Sequence, residues 1–533
     1  MCMNGSFRRG VAWVWAVGVL LSAAVHAAEL VTMTVSAPVH PVLIRKEHNF
    51  LEKVRINVPA AGLRLTSLTI SMTGTDDFSD IELVEVLPSG GEGAFPPALV
   101  FGRPERAAAV VTFSGGWLLK PGANDFWLSC RLRETAGLTR RVAATCVQAV
   151  TTAGEVAADP LVPAVRRRIG VALRKHYDDG VHTHRIPVLA TTTQGTLLAA
   201  YDLRRGAARD LQGDIDIGLS RSTDGGQQWA RPQVIMDMGE YGSQPQEENG
   251  CSDPGLIVDR ETGEIFCFAV WMHRKPGQHQ WTGTGSEPGF EIGTAAQFMM
   301  VRSKDDGVTW TAPENLTRKL KQEAWWLLAP SPQQGIQVAG GVLVMPVQGR
   351  DAQGVPFSTV MTSRDHGENW SVGAPARRQV TECQAVELSD GSILLNMRND
   401  EERFRATAVT RDFGQTWELP AAGAERMIEP NCNASLLRID LPSDKAAPAV
   451  LLFANPRSQT ARTHQTLQVS FDDGRSWPAS HHLLLDELAG AGYPSLTRID
   501  DGHVGIVYEG SQAQLVFEKF SLAELGIPAA VRR

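Results

Sequence analysis

The sequence predicts an all-β protein, a six-bladed β-propeller with a β-sandwich ahead of it. Three observations predict it. A turn motif recurs five times in the C-terminal part, tight hairpin turns fall between its copies, and the N-terminal region shows short alternating runs without it. At 533 residues the chain exceeds the ~250–300 that one core fills, so two domains are expected. The expected division is a signal peptide over 1–28, a sandwich over 29–160 and the propeller over 161–533.

The repeat is S/T-x-D-x-G-x-x-W. It reads Ser222-Thr223-Asp224-Gly225-Gly226-Gln227-Gln228-Trp229 and returns at Ser303–Trp310, Ser363–Trp370, Thr410–Trp417 and Ser470–Trp477. An Asp carboxylate accepts backbone N–H bonds inside such a turn, and Gly supplies a positive φ. The Trp then packs on a neighbouring layer. Repeats of this length in an all-β pattern mean radial blades, and the chain beyond Arg168 has room for about six. A second kind of turn (Thr193-Gln194-Gly195, Ser389-Asp390-Gly391, Asp500-Asp501-Gly502) is flanked by apolar runs and marks hairpins. Each blade then reads strand, short turn, strand, loop, strand, box turn, strand, with both turns on one face.

Upstream, runs such as Leu63-Arg64-Leu65-Thr66-Ser67-Leu68-Thr69-Ile70 alternate at the strand period. A Pro/Ala stretch around Asp159–Val165 joins this sandwich to the propeller. Its aromatic residues include Phe78, Phe95, Phe101, Trp117, Phe126 and Trp127, and Trp127 is assigned to the core.

Arg8 and Arg9 precede an apolar run from Val11 to about Ala24, then Val25-His26-Ala27-Ala28. That pattern is an export signal cleaved near Ala27 or Ala28, and no further membrane span is expected. The destination is the periplasm or the cell exterior. Cys2 leaves with the signal. Cys130, Cys146, Cys251, Cys267, Cys383 and Cys432 have no C-x-x-C spacing, so they read as buried thiols, with disulfides permitted in an exported chain. His182 and His184 lack neighbouring Cys or carboxylate ligands, and neither metal nor cofactor is expected. The net charge of −8, without a long basic stretch, argues against nucleic acid.

The hairpin turns locate the chemistry. Arg185 and Arg204 flank the first turn at nearly equal distances, Glu382 and Arg398 the second, Tyr493 and Glu509 the third. Each pair is therefore expected side by side at the end away from the turn. Asp210 and Arg462 lie in loops on that same face. A surface salt-bridge network explains any one such pair, but not three hairpins delivering them together.

These residues carry a resemblance to the bacterial exo-α-sialidases, Asp-box glycoside hydrolases with an arginine triad. Arg185-Ile186-Pro187 resembles that family's signature, and Tyr201–Arg204 with Arg209–Asp216 resembles its acid/base loop. Thr381–Gln384 with Leu395–Arg398, Asn455–Arg462, and Gly492-Tyr493 with Tyr508-Glu509 resemble the remaining site segments. Gly74–Ile81 is similar to the β-domain ahead of the propeller in some of these enzymes. Two segments depart from the pattern: Pro494 stands where Ser is usual, and Ser331–Ile336 replaces a Pro-Gly-x-Gly-Ile run, with an altered aglycone rim as the expected result.

The resemblance implies that Arg185, Arg398 and Arg462 grip the carboxylate on the sugar's anomeric carbon. It implies Tyr493 as nucleophile with Glu382 as its base, Asp210 as general acid and then base, and Glu509 as the partner of Arg185. Arg204 and Asp253 become contacts for hydroxyl and acetamido groups, although Asp253 before Pro254 reads equally as a turn cap. The implied partners are sialylated glycans: glycoproteins, mucins and gangliosides. Two other functions share these residues in whole or part, a transglycosylating sialidase and a non-catalytic glycan-binding propeller. Product analysis separates the first, and the presence of Tyr493, Glu382 and Asp210 opposes the second.

Overall fold

The computed structural model describes residues 30–89, 99–160, 163–211, 213–273, 275, 278–279, 281–419, 426–440 and 448–528; the expected signal segment and Phe95 lie outside them. From Thr183 onward the strands group into six antiparallel units around a ring. The first unit is Thr183–Thr191, Leu197–Arg204, Ile215–Ser222 and Gln233–Met236; the second opens at Asn249–Val258. The third is built on Leu343–Arg350 and Pro356–Ser363, the fourth on Val380–Glu387, Ile393–Asn399 and Ala406–Thr410. The fifth spans Ser435–Ile439 to His482–Asp486, and the sixth holds Pro494–Asp500, His503–Tyr508 and Leu515–Ser521.

The sixth blade takes its outer strand, Val165–Arg174, from the other end of the propeller sequence, with Val171 opposite Phe517. This pairing joins the two ends of the ring by backbone hydrogen bonds and leaves no frayed blade between them.

The repeated motif forms the same turn each time. Ser222 Oγ donates to Asp224 Oδ1 at 2.8 Å and accepts from Gly226 N at 3.0 Å, while Gln228 N donates to Asp224. Gly226 sits at φ 95°, and a Cβ there would come within 2.0 Å of Phe517. Conformation and space both demand glycine at that position. Trp229 packs edge-on against Phe517 of the preceding blade, 5.2 Å between rings, and Trp370 does the same on Phe266 and Phe268. Short turns and boxes share a face, as expected: Thr196 donates to Asp306 of the next box at 2.6 Å, and Ser389 N to Asp473 at 3.1 Å.

The N-terminal region packs two antiparallel sheets. One orders Thr32–Ser36, Asn49–Val58, Gly122–Leu132 and Ile81–Pro88; the other orders Arg141–Thr151, Arg64–Ser71 and Val110–Leu118. Ile56, Phe113 and Phe126 fill the space between them. Trp127 differs from expectation. Strand alternation sends Phe126 inward, and Trp127 lies half-buried on the other face, 5.5 Å from the Phe50 ring.

The two regions share structure. Val165–Arg168 pair with Arg141–Ala144 of the sandwich, Val42–Ile44 run parallel to Ile169–Val171, and the same strand continues into the propeller. Arg141 and Arg168 both reach Glu524, and Arg168 Nε lies 3.2 Å from the buried Glu518. Burial pushes Glu518 up to about 7, against the pull of Arg168.

All six described cysteines are buried and unpaired, and burial pushes the thiols of Cys130 and Cys383 up to about 12.

Candidate active site

The first strands of blades one, two and four share a distortion. Their registers shift between Arg185 and Val188, Ser252 and Gly255, and Val380 and Cys383. Such bulges bend a strand and re-aim its side chains. Ile186 at φ 56° and Asp253 at φ 58° mark the first two. A β-branched residue at that angle costs on the order of 1–3 kcal/mol and persists only where neighbours over-determine it. Here Glu509 does so, accepting from Ile186 N at 2.7 Å.

Glu509 is the hub beneath the site. Its carboxylate accepts from Arg185 Nε and Nη2, both at 2.9 Å, and from Tyr493 N at 3.1 Å; its own N–H donates to the Tyr493 carbonyl at 3.0 Å. One buried carboxylate thus fixes an arginine of blade one and the backbone of Tyr493 in blade six. Pro494 disturbs none of this, because both Tyr493 bonds precede the proline.

Tyr493 Oη donates to Glu382 Oε1, and Arg398 Nη1 lies 2.8 Å from Glu382 Oε2 and 3.0 Å from Tyr493 Oη. The guanidiniums of Arg185 and Arg462 lie over the Tyr493 ring, 5.3 and 5.4 Å from its centre. Burial and the Glu382 charge push the Tyr493 phenol well above its usual value, while Arg398 and Arg462 pull it down. At neutral pH it is a phenol, and a base alongside is needed to make it a nucleophile. Arg462 is oriented by the Ala491 carbonyl at 3.0 Å.

Asp210 lies on the loop after the second strand of blade one, 2.7 Å from Arg204 and 3.6 Å from Arg185. Burial would raise its carboxyl, but the two guanidiniums outweigh burial and hold it below the ordinary value. Arg204 lies at the end of the first hairpin away from its turn, as expected. Its guanidinium is buried and committed to Asp202 at 2.9 Å, to the Ala208 carbonyl at 2.7 Å and to Asp210, so it holds the Asp210 loop. Asp253 faces the pocket, with Gln348 Nε2 3.4 Å away; burial, together with the charges of Glu382, Asp202 and Asp210, pushes its carboxyl well up.

Arg185, Arg398, Arg462, Asp210, Asp253, Glu382 and Tyr493 line one cavity of about 300 Å³. Arg204 and Glu509 sit behind it. The Ser331–Ile336 segment, expected at the rim, lies beneath the site instead. Ser331 Oγ brackets the Cys383 backbone at 2.7 Å on both N and O, and Gln333 Nε2 donates to the Pro494 carbonyl at 2.8 Å.

Sequence reasoning passed over three features. Asn431, at φ 59°, accepts from Arg398 Nε and offers its carbonyl to Arg462 at 3.4 Å, so it spaces two arginines. Asp202 accepts from Arg204, from Ser252 Oγ at 2.7 Å and from Asp253 N at 3.2 Å. Trp281 and Thr282, from the long connection in blade two, form part of the cavity wall. A left-handed position suits Asn, the one local signal among these. His184 is buried against Gln514 at 3.2 Å, and among the described residues no group of three or more His, Cys, Asp or Glu is placed to hold a metal ion.

Three guanidiniums, a phenol on a carboxylate and a second carboxylate on a loop, all on an Asp-box propeller, define a glycosidase for an anionic sugar. The family described as BNR repeat-like domain matches residues 195–506, and the N-terminal domain of BNR-repeat neuraminidase matches residues 31–97. A sialidase of Bacteroides fragilis is 33% identical over 91% of this chain and 94% of its own length. The solved Hadza microbial sialidase Hz136 superposes with a TM-score of 0.85 at 32% identity, covering 92% of this chain and 99% of that one. An intramolecular trans-sialidase from Ruminococcus gnavus shares the fold at TM-score 0.52 and 20% identity, over 67% of this chain and 98% of that one. The chain belongs to the sialidase family of glycoside hydrolases and carries that family's N-terminal domain.

Proposed function

We propose that this chain is an exported, retaining exo-α-sialidase that removes terminal α-linked sialic acids from glycoproteins, mucins and gangliosides. The contact between Tyr493 and Glu382 inside the arginine cage carries this reading. A carboxylate nucleophile would be repelled by the substrate's own carboxylate, whereas a neutral phenol is not. Arg185, Arg398 and Arg462 take the substrate carboxylate, Arg398 staying within reach of the phenol it helps to activate. Tyr493 attacks the anomeric carbon as Glu382 withdraws its proton, forming a tyrosyl glycoside. Asp210 donates a proton to the leaving oxygen as that bond breaks and then takes one from water, which attacks the same carbon and breaks its bond to Tyr493 Oη while Glu382 returns the proton to the phenol, so the sugar leaves with retained configuration. The substrate carboxylate, drawn against Arg185, offsets the cation that holds Asp210 ionised and so favours its acid form.

Tyr493→Phe removes the nucleophile and one hydroxyl's volume. Turnover of an aryl sialoside should fall by about two to three orders of magnitude with an unchanged melting temperature. Near-wild-type hydrolysis would refute the assignment. Product analysis by NMR from sialyllactose separates hydrolysis from the second reading, intramolecular or intermolecular transfer, which the likeness to a trans-sialidase keeps in view: free sialic acid supports the first, anhydro or transferred sugar the second.

A further inference from the structure

Tyr493 and Glu382 meet inside the pocket, yet their strands belong to blades six and four, with blade five between them. The register shift between Val380 and Cys383 leaves Thr381 and Glu382 unpaired in the ladder, which resumes at Cys383 opposite Met397. Cys383 is therefore the first anchored residue beside the base. Ser331, just past the first strand of blade three (Leu327–Pro330), holds it. Its Oγ accepts from Cys383 N and donates to Cys383 O, both at 2.7 Å. One buried hydroxyl thus satisfies both main-chain polar groups of the residue next to Glu382.

Two residues on, Gln333 reaches the other member of the pair. Its side chain is fully buried, and Nε2 donates to the Pro494 carbonyl at 2.8 Å. Blades three and six stand opposite each other in a ring of six, so this amide crosses the axis and ends on the residue next to Tyr493. Neighbouring blades are joined by single serine hydroxyls, Ser331 among them: Ser495 Oγ accepts from Leu189 N at 2.9 Å, and Ser435 Oγ from Leu496 N at 3.0 Å. The segment that carries Ser331 and Gln333 is itself fixed from several sides. Ser331 N donates to the Pro346 carbonyl at 3.0 Å, Leu256 N to the Gln333 carbonyl at 3.3 Å, and Asn433 Nδ2 to the Pro332 carbonyl at 3.2 Å. Gln333 Oε1, by contrast, is buried with no hydrogen-bond partner among the described residues. An unpaired buried amide oxygen lowers stability, so stability alone is a poor reason for an amide here.

We propose that Ser331 and Gln333 are positioning residues for the nucleophile and its base, a strut from blade three that sets the separation of Tyr493 Oη and Glu382 Oε1. The proposal rests on the sialidase reading of the pocket. Neither residue lines the cavity that holds Arg185, Arg398 and Arg462, so the strut acts on the reacting pair and leaves the grip on the substrate carboxylate alone. Proton transfer from Tyr493 to Glu382 needs hydrogen-bond contact, and a misplacement of about 1 Å costs on the order of a hundredfold in rate.

The test uses the full chain with Ser331→Ala, Gln333→Met and, as a structural comparison, Thr196→Val, which removes a blade-to-blade bond on the turn face. The readouts are kcat/KM on an aryl sialoside, Ki for free sialic acid, Tm, and the NMR signal of the Tyr493 ring carbon in protein carrying 13C-tyrosine. That signal is assigned by its loss in Tyr493→Phe. Ser331→Ala and Gln333→Met should lower kcat/KM about 10- to 100-fold, with Ki within about twofold and the Tyr493 signal displaced. Gln333→Met should melt within a few degrees of the parent, and Thr196→Val should melt lower with kcat/KM within about twofold. If Ser331→Ala does not fold, Gln333→Met decides alone. A folded Gln333→Met within about threefold of the parent, a Ki that rises in step with the loss, or an equal loss in Thr196→Val overturns the proposal. If the parent hydrolyses no sialoside, the activity reading falls and the carbon signal judges the strut: a Tyr493 signal unmoved in the folded variants overturns it.

Discussion

Glu509→Gln tests whether the buried carboxylate under the pocket sets the geometry above it. The carboxylate accepts two bonds from Arg185, one from Ile186 N and one from Tyr493 N. An amide of the same shape has one accepting oxygen and presents an NH₂ to donors that need an acceptor. Removing one partner of a buried ion pair costs about 3–5 kcal/mol. The Arg185 side chain keeps 17% exposure, and solvent takes up part of the loss, leaving about 2–3 kcal/mol. If that energy is lost from the transition state, kcat/KM falls about 30- to 150-fold, at ~1.4 kcal/mol per tenfold. The assay is steady-state hydrolysis of an aryl sialoside, with thermal melting of the same sample to separate misfolding from misplacement. A folded variant within threefold of the parent would refute the reasoning, since Arg185 and Tyr493 would then be held by something else.

For Asp210→Ala, turnover of sialyllactose should fall at least about a hundredfold while an aryl sialoside with a good leaving group loses little; equal losses exclude the acid role. Glu52, wholly buried in the sandwich, has its carboxyl raised from 4.5 to about 7, because burial outweighs the pull of Arg167. Its penalty is absent below 4.5, grows as pH rises to 7 and is full above, at most about 3 kcal/mol. Glu52→Gln should therefore raise Tm at pH 8 and change it little at pH 4, and a scan with no pH dependence would discount this group. A chain beginning at Val162 should be insoluble or melt at least several degrees lower. The cut strips Val42–Ile44 and Arg141–Ala144 from the strand that closes the ring, and a soluble, fully active product would contradict that account.

The blade architecture was legible in the sequence because the box turn is local. Asp224 bonds residues within its own turn, and Gly226 is dictated by its own φ, so a few consecutive residues carry the signal. The opposed pairs Glu382 with Arg398 and Tyr493 with Glu509 were legible for a related reason. Antiparallel pairing converts distance from a turn into spatial opposition, and these residues do meet across their strands. Trp127 was misplaced because period-two alternation states that neighbours face opposite ways but not which of them faces the core.

What joins different blades belonged to the tertiary structure alone. Nothing near Arg204 in the sequence says that its guanidinium is spent on Asp202 and Asp210. Nothing near Ser331 says that it braces Cys383 from beneath, and Lys46 gives no sign of reaching the active-site face. The sequence by itself determined the repeating turns, the hairpins and the kinds of chemical group they carry, because those depend on residues close along the chain. Which groups face substrate, which stand behind them, and how the sandwich shares a strand with the ring were decided only by closure. Closure brings residues hundreds of positions apart into contact, and the fit of side chains there leaves no periodic trace in the sequence.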